Sequence, residues 1–194
     1  EVVVKEEYLH FLCCPECVSD LLLERSCVEN GKIKEGKLTC SNCGLSYIIR
    51  NFIPRFVGTK SYAESFGAQW NAFASVQLDD GHTSESALRF DSEIGWKRDK
   101  LDGKVVIEIG SGAGRFVDII SKRGAKLAIG VDVTTAVDAA QNNLKDRQNV
   151  FFIQADAFKL PVKNAHFDYA YSIGVLHHTP NPQLAFEKMV DTVK

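Results

Sequence analysis

The chain has 194 residues, room for one medium domain or a compact one with a small appendage at roughly 150 residues per domain. With 45% hydrophobic and 25% charged residues, 14 Gly and 5 Pro, it is not collagen-like, disordered or coiled-coil. The net charge of −2, with 8 basic and 8 acidic residues before position 61, argues against a generic nucleic-acid binder.

The N-terminal Glu1-Val-Val-Val-Lys-Glu-Glu lacks the basic region and cleavage site of a secretory signal, and its missing Met fits an excised piece. The longest apolar runs, such as 169–176, fall short of the roughly 20 residues a membrane span needs. A cytoplasmic protein with no membrane partner is expected.

All 6 cysteines lie between positions 13 and 43, which marks that stretch as a module apart from the rest. Cys14-Pro-Glu-Cys17 and Cys40-Ser-Asn-Cys43-Gly44 form two C-x2-C pairs 22 residues apart, close to zinc-ribbon spacing. Each pair turns two thiolates toward one point, and four thiolates fill a tetrahedral site. No position is left for water, so the role of zinc here is structural. The alternative is a disulfide framework, which needs an exporting signal. Cys13 is an alternative ligand to Cys14; Cys27, within the mixed run 21–28, reads as a small core residue. A β-rich run over 45–57 closes the module at Gly58, and a core this small is marginal without a metal staple.

Leu12 to Cys17, Leu38 to Gly44 and Ile53-Pro-Arg-Phe56 resemble the small zinc-ribbon family that includes the activator subunit of tRNA and rRNA methyltransferases. The resemblance covers about a quarter of the chain.

Between the ribbon and the next periodic segment, residues 61–103 carry Phe66-Gly-Ala-Gln-Trp70, Arg89-Phe90 and Trp96. A helical linker or lid is expected here, with Trp70 or Phe90 near a positively charged ligand. The alternative is that these aromatics pack the two parts of the chain together.

From Lys104 onward strands and helices alternate: strands at 105–109, 126–131, 150–154 and 167–172, helices at 113–123, 134–147 and 182–193. This pattern predicts an α/β fold, a Rossmann-like, doubly wound and mainly parallel sheet preceded by the β-rich ribbon. Ligands of such sheets sit at the carboxyl ends of the strands.

Three of those ends carry acids. Glu108-Ile-Gly110-Ser-Gly112-Ala-Gly114 follows the first strand; Arg115 stands where the dinucleotide fingerprint requires its third Gly. Asp132 follows the second strand, placed to accept from ribose hydroxyls, and Asp156-Ala157-Phe158 follows the third. Three carboxylates would repel phosphates and suit an adenosine with a cationic tail. Taken singly, Glu108 reads equally as a strand-end acid, Asp132 as a helix cap and Asp156 as a turn residue.

Residues 104–194 resemble the class I S-adenosylmethionine-dependent methyltransferases of the type 11 kind, with Glu108 to Gly114 as the first motif and 167–182 as the fourth strand and its loop. The resemblance implies S-adenosylmethionine as cofactor, held by Glu108, Gly110, Ser111, Gly112, Gly114, Asp132, Val133, Asp156, Ala157 and Ser172. Methyl transfer to a small-molecule acceptor is expected, with His177 and His178 after the fourth strand as candidate bases or positioning groups, or else structural histidines. Ser172-Ile-Gly-Val175 stands where DNA amino-methylating relatives carry an Asp/Asn-Pro-Pro-aromatic sequence, which weighs against a DNA amine acceptor. An rRNA or tRNA methyltransferase using the ribbon for RNA contact is the alternative, and a non-catalytic binding module a third. Four recognisable strands against the family's seven imply a truncated sheet with an open edge at the fourth strand.

Overall fold

The computed structural model of the chain describes residues 5–29, 31–57 and 84–194. A 3₁₀ turn, Lys5–Phe11, runs through the Cys14–Cys17 knuckle into an antiparallel meander of β1 (Leu21–Glu29), β2 (Lys32–Cys40), β3 (Ser46–Arg50) and β4 (Ile53–Arg55). Residues 58–83, and with them Phe66 and Trp70, lie outside the described residues. Helices α1 (Glu85–Glu93) and α2 (Arg98–Leu101) then lead to β5 (Val105–Ile109), α3 (Arg115–Lys122), β6 (Leu127–Asp132), α4 (Ala136–Asn143), β7 (Val150–Gln154), β8 (Tyr169–Tyr171), a 3₁₀ turn Leu176–His178, and α5 (Pro182–Val190).

The local signals are ordinary ones. All five residues of β5 are buried, as expected of a strand covered on both faces. Helix α5 opens with Pro182 in its first turn and the Asn181 side chain accepting from the Leu184 amide at 3.0 Å, a complete N-cap.

The strand order is β1-β2-β3-β4-β7-β6-β5-β8 in one eight-stranded sheet. Sequence patterning treats the ribbon as a unit apart, yet β4 runs parallel beside β7, with Arg55 opposite Gln154 and the Phe56 amide donating to the Gln154 carbonyl at 2.8 Å. An exposed edge on β7 would present unpaired backbone groups, and the ribbon pairs with the last residue of that edge. The two parts also share a core. Tyr8, Phe11, Leu12, Ile33, Leu38 and Ile49 pack in one buried cluster with Ile107, Ile129, Val131 and Ile153. Phe11 stacks on Phe167 with ring centroids 5.4 Å apart, and the Lys163 amide donates to the Phe11 carbonyl at 2.8 Å.

A second buried cluster, between α1, α3, α4 and the sheet, includes Phe90, Phe116, Ile120, Val137 and Phe152. Phe90, expected as a possible neighbour of the cofactor, is fully buried in it, packed edge-on against Tyr171. It joins α1 to the sheet, the packing alternative.

At the other end of the sheet β8 has one strand neighbour, β5. Just before β8, Phe167 makes a parallel bridge to Val193, with the His166 amide donating to the Thr192 carbonyl and the Lys194 amide to the Phe167 carbonyl, each at 3.0 Å. Among the described residues, the open edge expected for the fourth strand is confined to Tyr169–Tyr171. No helix among the described residues is long and apolar enough to cross a membrane.

Candidate functional site

The two cysteine knuckles come together. The sulfurs of Cys14, Cys17, Cys40 and Cys43 all lie within 4.8 Å of one another. Cys14 and Cys43 are 3.7 Å apart and Cys17 and Cys40 3.4 Å apart. A tetrahedron of sulfurs at the usual zinc–thiolate distance has edges of about 3.8 Å, a spacing that the separations in the cluster bracket. The Asn42 and Cys43 amides both point at the Cys40 sulfur, each at 3.4 Å, and the Tyr47 hydroxyl lies 3.4 Å from the Cys14 sulfur. Hydrogen bonds from Ser19 draw the Cys17 thiol down to about 6, toward the thiolate that binds metal.

The knuckles are related turns: the Val18 amide donates to the Cys14 carbonyl at 2.8 Å as the Gly44 amide does to that of Cys40 at 3.2 Å. Both residues have left-handed backbones, Gly44 at φ 75° and Val18 at φ 62°. Glycine adopts this freely, whereas a β-branched residue is strained there. Cys13 is buried, its thiol pushed up to about 11 by that burial, and stands apart from the cluster. Cys27 is exposed on β1, not in the core as its sequence context suggests. An irregularity in the β1–β2 register between Arg25 and Val28 interrupts the strand's alternation there.

The second site lies at the carboxyl ends of the parallel strands. Gly110, at φ 83°, sits so close to Val175 that a β-carbon there would collide with its side chain. Around Gly112 a β-carbon would meet nothing within 4 Å, so the loop opens there onto free space. The Gly112 amide donates to Asp132 Oδ2 at 2.9 Å, while Oδ1 accepts from the Thr134 amide and hydroxyl at 2.9 and 2.7 Å. Asp132 thus ties the glycine loop to the start of α4. Counting lone pairs, Oδ2 keeps one acceptor position for a ligand hydroxyl.

A cavity of about 270 Å³ lies against this loop, lined by Gly110, Ser111, Gly112, Ile173, Gly174 and Val175, with Glu108 in its wall and Arg89 and Arg115 at its rim. Two hydroxyl oxygens at the strand ends, of Ser111 and Ser172, are buried and have no hydrogen-bond partner among the described residues. A buried hydroxyl without a partner costs free energy; both oxygens are closed off from the cavity surface, and of the two residues Ser111 lines the cavity. The open glycine cradle and the acceptor position left on Asp132 fit S-adenosylmethionine.

Charge at the site differs from the sequence-based expectation of three carboxylates. Glu108 is 1% exposed, and burial pushes its carboxyl up to about 8; the Tyr171 hydroxyl, donating at 3.1 Å, pulls the other way and nearby Asp132 adds to the rise. Glu108 is therefore mostly protonated at neutral pH. The two arginines add positive charge at the rim. Arg89 bonds Glu93 at 2.7 Å and Arg115 bonds Ser86 at 2.8 Å, and their guanidinium carbons lie 5.7 and 5.2 Å from the Phe116 ring centre. Sequence patterning missed both roles: Arg115 registers there only as a break in a dinucleotide fingerprint, and Arg89 lies in a helix with no motif of its own.

The other expected residues are spread around the same strand ends. Asp156 follows β7 and accepts from the Phe158 amide at 2.9 Å, closing a turn; Ala157 is half-buried against the core. The Val133 carbonyl accepts from the Gln154 side chain at 3.1 Å. Gly114, at φ 88°, caps the start of α3 beneath Ala140 and Leu144 and is a packing glycine. His177 and His178 are both exposed in the 3₁₀ turn, ring centres 3.9 Å apart, beyond Val175 where the lining of the cavity ends.

A glycine turn, an acid at each following strand end and the β7-β6-β5-β8 order define the class I methyltransferase fold. Comparison with known proteins agrees. Residues 107–194 match the methyltransferase domain family and residues 5–51 match the Trm112p-like protein family. The chain is thus similar to the one family near its N-terminus and to the other over its C-terminal part. Among curated proteins it is 32% identical over 98 residues to the tRNA U34 carboxymethyltransferase of Ruthia magnifica, covering 48% of this chain and 30% of that one. It is 29% identical over 96 residues to the ubiquinone biosynthesis O-methyltransferase of Coxiella burnetii, covering 48% and 41%. The chain therefore spans well under half the length of these relatives. A solved complex containing the Haloferax volcanii Trm112 methyltransferase activator aligns with a TM-score of 0.54 at 14% identity, over 71% of this chain and 57% of that one, which shows a shared fold.

Proposed function

We propose that the protein is an S-adenosylmethionine-dependent methyltransferase, built as a zinc ribbon over 1–60, a linker over 61–103 and a methyltransferase domain from 104 onward. The observation that carries this is the glycine-walled cavity at the carboxyl ends of the strands, where the Gly112 amide is held by an Asp132 that keeps an acceptor position for a ligand hydroxyl. When bound, S-adenosylmethionine supplies a methyl group activated by a sulfonium. The glycine loop with Ser111, and Ser172 at the next strand end, would hold its amino-acid end, Arg89 would face the carboxylate there, and Asp132 and Asp156 would accept from the ribose and the adenine amine. Glu108, neutral and bonded by Tyr171, holds the strand end beneath the glycine turn in place. His177 and His178 stand where an acceptor enters, placed to take or orient its proton. Zinc on the four cysteines holds the ribbon and takes no part in transfer.

We favour a small-molecule acceptor. The chain carries 23 basic against 25 acidic residues, so its composition offers no excess of positive charge for a phosphate backbone. The second reading, a structured RNA acceptor met partly by the ribbon, draws on the Trm112p-like segment and on the relative named for tRNA. Calorimetry with S-adenosylmethionine tests the core of the proposal: absence of binding by the folded chain refutes it. A methyl-transfer screen of small metabolites against RNA then separates the two acceptors.

A further inference from the structure

Arg55 is a charged residue buried at the seam between ribbon and methyltransferase sheet, its side chain only 6% exposed. It lies on β4, opposite Gln154 of β7. Its guanidinium forks onto Asp138 of α4, Nη2 to Oδ1 at 2.6 Å and Nη1 to Oδ2 at 3.2 Å. Nη1 also donates to Gln154 Oε1 at 2.9 Å and Nη2 to the Arg50 carbonyl at 3.3 Å. Gln154 passes the contact on: its Nε2 donates to the Val133 carbonyl at 3.1 Å.

Both flanks of segment 133–135, which follows Asp132 and leads into α4, are therefore held by one side chain from the ribbon. One tie reaches the carbonyl next to Asp132 through Gln154; the other holds the first turn of α4 through Asp138. Asp132 in turn sets the Gly112 amide. A buried ion pair of this kind contributes little net stability compared with apolar packing, but its fork is directional. Its use is then geometric.

We infer that Arg55 is a positioning residue, through which the docked ribbon holds Asp132 in the orientation that receives the cofactor's ribose. This rests on the cofactor site proposed above. It makes the ribbon part of that site's affinity although no ribbon residue lines the cavity.

The test is calorimetry of the full zinc-loaded chain with S-adenosylmethionine, for the unmodified protein and for Arg55→Ala, Gln154→Met and Tyr8→Phe. Arg55→Ala and Gln154→Met each weaken binding about tenfold, whereas Tyr8→Phe does not, although it removes a hydrogen bond to the Gln148 carbonyl at the same junction. In an Asp132→Asn background neither substitution weakens binding further, which a purely structural role would not produce. Amide resonances of Gly112 and Thr134 shift in both variants. Unchanged affinity in a folded Gln154→Met protein overturns the inference, as does an undiminished loss in the Asp132→Asn background. Should Arg55→Ala not fold, Gln154→Met decides alone, because it leaves the fork to Asp138 in place. No binding by the unmodified chain refutes the proposed function instead.

Discussion

Glu108→Gln replaces a buried acid by a neutral side chain of the same shape. In the folded chain the carboxyl of Glu108 is pushed up to about 8, against an ordinary value of 4.5. An acid with a raised folded value is penalised: below pH 4.5 both states hold the proton, between 4.5 and 8 only the unfolded state releases it, and above 8 both have released it. Stability thus falls as pH climbs through this window and levels off beyond it. At roughly 1.4 kcal/mol per pH unit, the difference between pH 5 and pH 8.5 is about 4 kcal/mol. Glu108→Gln removes that loss, so urea unfolding should find the variant of order 4 kcal/mol more stable than the unmodified protein at pH 8.5 and nearly equal to it at pH 5. Parallel stability profiles of the two proteins over pH 5 to 8.5 would refute the burial argument, and with it the neutral state assigned to Glu108.

Four further outcomes follow from the geometry. Arg89→Met should weaken S-adenosylmethionine about tenfold by calorimetry while leaving adenosine affinity alone, because only the former carries a carboxylate. Gly110→Ala combines a left-handed backbone with a collision against Val175, and should cost about 3 kcal/mol of stability in urea unfolding along with measurable cofactor binding. Cys40→Ser should lower zinc content, read by atomic absorption, from one ion per chain to none and open the β4–β7 junction to proteolysis. Val18→Gly relieves a β-branched residue at positive φ and should raise the unfolding free energy by about 1 kcal/mol without altering zinc content.

What could be read along the chain was local. The strand and helix alternation from 105 to 190 reflects burial on both sheet faces, and the observed elements match it apart from frayed ends, such as α4 stopping at Asn143 rather than continuing to Arg147. The two knuckles were legible because thiolate convergence is set by a four-residue turn. Misjudgements fell where the environment comes from distant segments. Cys27 reads as core by its neighbours, yet the bend in β1 leaves it exposed. Phe90 reads equally as a cofactor-facing or a packing aromatic, and only the fold, in which α1 turns it into the core, decides between them. The acids count as three charges until burial removes one.

The sequence by itself determined the two resemblances, the four sulfurs and the acids at successive strand ends, because each depends on spacing within a few turns of chain. Only the tertiary structure decided that the ribbon continues the methyltransferase sheet through β4 and β7, since a strand edge carries no partner's address in its own residues. It likewise decided that Arg55 reaches Gln154 and Asp138, about 100 and 83 residues away in the chain, and that two arginines border the cavity. Those contacts depend on which surfaces are buried together, and the free energy of desolvating a guanidinium or a carboxyl is set there and not by the neighbouring letters.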